Sequence, residues 1–373
     1  MASFLHTADL HLGQAGGEAL PEEIARQRQL EITESLSRIV DLALEKEVDL
    51  LLVAGDLFTD KFASPALLRF ADHQFSRLGK VKVLVSAGNH DPLLPGSPWE
   101  AFSWQENVRF FPPLRWEQLS FPELGVAVTG LSWGKGRPGP ELFAEMPPAA
   151  AGLANIALLH GSAGQAASLA ADYFPLPAER IADLGYRYVA LGHYHAPASW
   201  REGNAVIAYP GSPEALSFAE EGSHGVWLGN TAPEKLEFIP VGSRQYVTLR
   251  RELAGADSED RLVAELAEAL QGRRRDFVRL LLTGALPAGF SLDLDYIAQR
   301  LREEVHFLKL VDETREEPAE DFRPGSLRQL FYQQIASELA ATSDPDKRKM
   351  LNLALKYGLT ALATGSVQVG KER

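Results

Sequence analysis

The 373-residue chain contains no cysteine. That excludes disulfides, thiolate metal sites and a thiol nucleophile, and it fits a reducing compartment. Long apolar runs are missing as well. None approaches the roughly 20 residues that span a bilayer, so no membrane role is expected. The opening residues, Met1-Ala2-Ser3-Phe4-Leu5-His6, place no basic segment ahead of an apolar stretch. No signal peptide is visible, and a cytoplasmic location is expected. Basic charge is scarce too: 37 Lys+Arg against 50 Asp+Glu leave a net charge of −13. Such a balance argues against a chain that grips nucleic acid by overall charge. The deficit is uneven, however. Residues 1–243 carry 17 basic and 29 acidic side chains, residues 244–315 carry 12 and 13, and residues 316–373 carry eight of each.

What remains is ordinary soluble-protein composition, with 45% hydrophobic and 23% charged residues, and a length that predicts two or three domains. Short β-type runs at 3–6, 49–53, 81–85, 156–159 and 188–191 alternate with helical patterns. Residues 22–47 place Ile32, Leu36, Ile39, Val40 and Ala43 on one face, and residues 65–78 follow Ser64 as N-cap with Pro65 in the first turn. Strand-rich sequence occupies 206–228. The pattern predicts an α/β layered domain over 1–243. Strand, helix, strand, helix and strand patterns at 245–249, 259–270, 277–282, 296–304 and 306–311 predict a small α+β unit over 244–315. A Pro- and charge-rich stretch, 313–324, leads to a C-terminal helical pair over 325–365. Its second helix opens at Ser343-Asp344-Pro345.

Five apolar runs end in metal-binding side chains: Asp9-Leu10-His11, Gly55-Asp56, Gly88-Asn89-His90-Asp91, His160 and Gly192-His193-Tyr194-His195. Taken singly these are weak signals, since an Asp after Gly is often a turn cap and a lone His says little. Taken in order they offer two carboxylates, one amide oxygen and four imidazoles, with His90 left over. Imidazole and carboxylate together suit borderline divalent metals such as Mn²⁺, Fe²⁺ or Zn²⁺. Asp56 is the natural bridge between two cations, which would also offset about four of the acidic charges of residues 1–243. His90 is the candidate to contact a phosphate and protonate a leaving oxygen.

The ordered motifs resemble the calcineurin-like metallophosphoesterases and, within them, the SbcD- and YhaO-type relatives of the DNA double-strand-break repair nucleases. The residues that carry the resemblance are His6-Thr7-Ala8-Asp9-Leu10-His11-Leu12-Gly13, Ala54-Gly55-Asp56-Leu57-Phe58, Gly88-Asn89-His90-Asp91, the run from Tyr188 to His195, and Tyr209-Pro210-Gly211-Ser212-Pro213 with Leu216-Ser217-Phe218 and Glu220 beyond it. The resemblance covers about residues 1–240. It implies a layered sandwich with a capping domain and a C-terminal segment that docks on an SbcC-like coiled-coil ATPase. One metal would go to Asp9, His11, Asp56 and His195, the other to Asp56, Asn89, His160 and His193, most simply as two Mn²⁺ ions. DNA would be the substrate, Arg250, Arg251, Arg273, Arg274 and Arg275 would contact its phosphates, and residues 65–78 with 99–104 would lie where relatives form a homodimer. Thr59 stands where archaeal and eukaryotic members carry a histidine implicated in exonuclease action. A small-molecule phosphatase and a partner-binding scaffold are the rival readings.

Overall fold

A computed structural model describes every residue except 18, 137, 164–173, 177, 233–235, 254–257, 288–291, 317–322, 343 and 366–373. Ser343 and part of the 313–324 stretch therefore lie outside the described residues. The chain divides into two compact units, Met1–Ser243 and Arg244–Arg373.

In the first unit two six-stranded sheets share a core. One sheet runs Glu237–Pro240, Gly225–Asn230, Ser3–Thr7, Leu50–Val53, Lys82–Val85 and Val108–Phe110. The other runs Ala198–Glu202, Ala205–Tyr209, Tyr188–Gly192, Ala154–His160, Val126–Gly130 and Glu117–Phe121. Neighbouring strands are parallel from Ser3–Thr7 to Val108–Phe110 in the first sheet. They are parallel from Ala205–Tyr209 to Val126–Gly130 in the second. Alternation along each strand sends Phe4, Leu50 and Leu52 to the shared core with Val128, Ile156, Leu158 and Ala190. Leu5, Leu51 and Val53 face the other way, onto the helices Glu22–Glu45 and Pro65–Arg77. Burial on both faces explains why these strands read as continuous apolar runs. As the sequence suggested, Ser64 caps the second helix, accepting from the Leu67 amide at 3.2 Å.

Strands Val108–Phe110, Glu117–Phe121 and Val126–Gly130 were not anticipated. The first has only three residues, and the second is half-exposed along most of its length, so neither shows the period that marks a buried strand.

One charged side chain lies in the buried face of the first helix. Arg28 is fully buried, and donates to Glu214 Oε2 and to the Ala215 carbonyl, each at 2.8 Å. Glu214 also takes Arg38 and the Ser243 amide. This clasp ties the helix to the loop 212–220.

The second unit alternates strand and helix through Tyr246–Glu252, Glu259–Ala269, Phe277–Thr283, Leu294–Leu301 and Phe307–Asp312. Its three longer strands are all parallel, with Leu262, Leu266, Val278, Leu280, Ile297 and Leu310 in the core. Helices Leu327–Ala341 and Pro345–Thr364 pack on each other. Ser326 and Asp344 cap them.

Candidate metal centre

All seven candidate ligands sit at or just beyond the carboxyl ends of parallel strands, where α/β sheets place their sites. Asp9 and His11 follow Ser3–Thr7, Asp56 follows Leu50–Val53, and Asn89 follows Lys82–Val85. His160 ends its strand in the second sheet, and His193 and His195 follow Tyr188–Gly192. The backbone there is bent sharply. Asp9, His11, Asp56 and His193 have φ of 53°, 46°, 51° and 113°, a region that side-chain-bearing residues seldom adopt and that clusters at functional sites. Gly192 allows the two sheets to meet, since a Cβ there would land on the Ala54 carbonyl.

Two groups of side chains converge closely enough to hold a cation: Asp9, His11 and His195, and Asp9, Asp56 and His160. Asp56 Oδ2 lies 3.9 Å from His11 Nε2 and 3.4 Å from His160 Nε2, so it reaches both groups. Asp9 belongs to both as well. Asn89 Oδ1 is 2.9 Å from His160 Nε2. The His193 ring lies 5.3 Å from that of His160, and its amide donates to Asp9 Oδ2 at 3.0 Å.

The hydrogen bonds at the far side of each ring fix what the near side offers. His160 Nδ1 faces the Ala54 carbonyl at 2.9 Å. A carbonyl only accepts, so Nδ1 carries the proton, and Nε2 presents a lone pair to Asn89 Oδ1 and Asp56 Oδ2. Burial pushes His160 and His193 down to about 3 and His11 well below the usual histidine value, so these rings are neutral. His11 Nδ1 meets Thr59 Oγ1 at 3.1 Å, and Thr59 in turn donates to Gln14 Oε1 at 3.2 Å. His195 Nδ1 meets Glu220 Oε1 at 2.9 Å. The Nε2 atoms of His11 and His195 then point at one another, 3.3 Å apart. Burial would depress His195, but the Glu220 hydrogen bond and the Asp9, Glu220 and Asp56 charges outweigh it and raise it to about 9. Burial raises Asp9 and Asp56 above the usual carboxylate range. Without metal, the proton on His195 can bridge its Nε2 to that of His11; a divalent cation would take the place of that proton among imidazole nitrogens and carboxylate oxygens. The donor set therefore fits divalent metal.

Three contributors were not assigned from sequence. Asp91, inside the Gly-Asn-His-Asp motif, is fully buried and accepts from the amides of Gly88 at 2.6 Å, Phe58 at 3.1 Å and Asp56 at 3.2 Å. It clamps two ligand loops together. Glu220 and Thr59 orient His195 and His11. Both were noted as motif positions, but nothing in the sequence gave their partners. His90 stands at the mouth, exposed, with its ring 5.0 Å from that of His11 and its amide on Asp56 Oδ1 at 2.8 Å.

The five arginines lie in the second unit and do not form one strip. Arg250 and Arg251 pair with Leu281 and Leu282 near the carboxyl end of the parallel sheet, whereas Arg273, Arg274 and Arg275 precede Phe277 at the other end. Four or five residues of strand, Phe277 to Leu281 or Leu282, separate the groups, roughly 15 Å. Arg273 is paired with Asp276 at 3.2 Å, and Arg250 faces Glu313 at 3.7 Å.

The model of the calcineurin-like phosphoesterase family matches residues 2–197. The chain belongs to that family. The matched residues include every strand end that carries a candidate ligand, so the candidate metal centre lies within the region that defines the family. Among similar proteins, the uncharacterized metallophosphoesterase YhaO of Bacillus subtilis is 31% identical over 61% of this chain and 56% of its own length. The DNA double-strand break repair protein Mre11 of Methanopyrus kandleri is 26% identical over 58% of this chain and 49% of its own. The SbcD component of the nuclease SbcCD of Rhodobacter capsulatus is 30% identical over 62% of this chain and 68% of its own. The phosphoesterase thus spans about half the length of the first two. No helix among the described residues is long and apolar enough to cross a membrane.

Proposed function

We propose that the chain is a two-metal DNA nuclease that works with an ATPase partner. The observation that carries the chemistry is Asp56, whose Oδ2 reaches the imidazoles of both halves of the site. What favours DNA is the similarity to an Mre11 and to the SbcD component of an SbcCD nuclease. In this reading Asp9, His11, Asp56 and His195 hold one ion, and Asp56, Asn89, His160 and His193 hold the other, with Mn²⁺ the metal for a site of mixed imidazole and oxygen donors. Two divalent ions so held lower the pKa of water and neutralise charge building on the phosphoryl oxygens. The chain's own work is positional. Asp91 fixes the loops that carry Asp56 and Asn89. Ala54, Thr59 and Glu220 fix the rings of His160, His11 and His195, so that each offers its lone pair inward. His90, exposed beside His11, protonates the leaving oxygen.

Residues 1–243 then form the nuclease domain and 244–315 a cap, whose arginines Arg250, Arg251, Arg273, Arg274 and Arg275 meet phosphates at two separate places. The helical pair 325–365 docks on an SbcC-like coiled-coil ATPase. Leu327, Leu330, Met350 and Leu353 support this, being 67%, 55%, 62% and 40% exposed on those two helices. A homodimer through helix Pro65–Arg77 completes the assembly.

The test is cleavage of linear and hairpin DNA with Mn²⁺, with and without the ATPase. Asp56→Asn should abolish cleavage. His90→Ala should lose turnover while still binding two Mn²⁺ ions in a metal titration. Rapid hydrolysis of a small phosphate monoester with no cleavage of any DNA would overturn the nuclease reading.

A further inference from the structure

We infer that Phe62 is a base-stacking residue at the mouth of the metal centre, and that the substrate it selects is a strand whose terminal bases are unpaired. This rests on the nuclease reading. Among the described residues, nine large apolar side chains are exposed, and Phe62 is the one aromatic among them, at 45%. A single exposed apolar residue needs no explanation by itself. Its position does. Phe62 ends the short 3-10 turn Asp60–Phe62, directly after Thr59, the residue that touches the His11 ring. The turn is pinned on the catalytic side, because the Asp60 amide donates to the His90 carbonyl at 3.0 Å. It is pinned on the ligand side as well. A Cβ on Gly13, two residues beyond His11, would lie 3.1 Å from Phe62 Cβ and 3.3 Å from its carbonyl oxygen. Phe62 therefore lies against the loop of His11 in a turn bonded to that of His90, and it keeps 45% of its surface exposed there.

An aromatic face beside a phosphodiester-cleaving centre meets the base attached to the scissile nucleotide. Bases within a duplex are already stacked and offer no free face, so the partner is an unpaired end or a single strand. The charge balance gives stacking a purpose. With 17 basic and 29 acidic residues in 1–243, this unit is net acidic and does not attract phosphates by its overall charge, whereas stacking works with any base and without charge.

The experiment measures KM for a short single-stranded oligothymidylate with the full Mn²⁺-loaded chain. In parallel, fluorescence anisotropy follows binding of the same oligonucleotide to the full-length Asp56→Asn chain. Each is run with Phe62, Phe62→Ala and Phe62→Trp, and repeated with an oligonucleotide whose terminal nucleotides are abasic. Phe62→Ala should weaken binding of the normal strand by roughly 5- to 150-fold. The loss should be the same at low and high salt, Phe62→Trp should restore it, and the abasic strand should bind all three forms alike. Equal losses on normal and abasic strands, or none on either, would overturn the inference. So would a change in mass by light scattering with no change in oligonucleotide binding, which would make Phe62 a protein contact. A parent chain that binds the strand but never cleaves it would overturn the nuclease reading alone, with anisotropy still deciding Phe62. A parent chain that binds no strand overturns both.

Discussion

Replacing Glu220 by Gln tests whether His195 is a ligand held ready by its partner. Glu220 uses both oxygens: Oε1 meets His195 Nδ1 at 2.9 Å, and Oε2 accepts from the Leu216 amide at 2.9 Å and from Ser212 Oγ at 3.3 Å. Glutamine has one acceptor oxygen. It can serve the ring or the loop, and the site it leaves faces a donor with a donor. The pair is largely buried, with side chains 25% and 16% exposed, so solvent screens it little. Losing such an outer partner of a metal-binding histidine costs about ten- to hundredfold in metal affinity, roughly 1.4 to 2.8 kcal/mol. A second effect opposes the first near neutral pH. In the metal-free parent His195 is raised to about 9, so a proton competes with the metal. Without the Glu220 charge that proton is held less tightly. The loss of affinity should therefore be partly masked at pH 7 and full above pH 9, where His195 is neutral in both proteins. Anaerobic calorimetric titration with Mn²⁺ at the two pH values measures it. Affinities within twofold of the parent at both would refute the reasoning.

Thr59→Val removes the acceptor for His11 Nδ1 and should weaken Mn²⁺ binding by about tenfold or more, whereas Thr59→Ser should retain it in the same titration; equal behaviour of the two variants would mean that Thr59 does not hold the ring. Glu214→Ala removes one of the carboxylates that hold the buried Arg28, leaving Glu31 at 3.0 Å, and chemical denaturation should show a loss of about 3–5 kcal/mol; a loss under about 1 kcal/mol would mean that Glu31 alone satisfies the guanidinium. In the metal-free protein burial raises Asp9, Asp56 and Asp91 above their unfolded values. Those carboxylates by themselves favour the folded state below neutrality, but the buried neutral rings of His6, His11, His160 and His193 act with the opposite sign below the ordinary histidine value. What pH decides is metal binding, because protons on Asp9 and Asp56 compete with the cation in acid. Adding Mn²⁺ should therefore raise the melting temperature more at pH 8 than at pH 5, and a gain independent of pH would contradict the buried-carboxylate account.

The candidate ligands were legible in the sequence because most of them follow an apolar run close to where its strand stops. Asp9, Asp56, Asn89, His160 and His193 sit at such ends, and the fold brings all five strand ends to one edge. The residues that make those ligands work were not legible as partners. Glu220 lies 25 positions from His195, Thr59 48 from His11, and the Ala54 carbonyl 106 from His160. A hydrogen bond across such a separation leaves no period or spacing behind. Asp91 was visible but carries a different burden from its neighbours: it accepts main-chain amides, a role any turn aspartate can play, and only its complete burial between two ligand loops distinguishes it. The arginines carry no such signal: the resemblance alone proposed them as phosphate contacts, and the parallel register puts Arg250 and Arg251 near one end of a sheet and Arg273, Arg274 and Arg275 near the other.

The glycines of the motifs carry the part of the design that side-chain chemistry cannot. Gly192 has no Cβ because the Ala54 carbonyl occupies that place, and Gly88 has none because Asp56 does. The Gly192 contact sets the second sheet's strand end against the main chain of the first, while Gly88 lets two neighbouring strand ends of the first sheet close on the Asp56 side chain. If Gly192 carried a methyl group, the second sheet would have to withdraw, and His160 and His193 would withdraw with it while Asp9 and His11 stayed. The spacing between the two halves of the centre is thus set by main chain against main chain, where no rotamer can relax it. Such a constraint suits a reaction in which two cations must keep a fixed separation while charge moves between attacking and leaving oxygens.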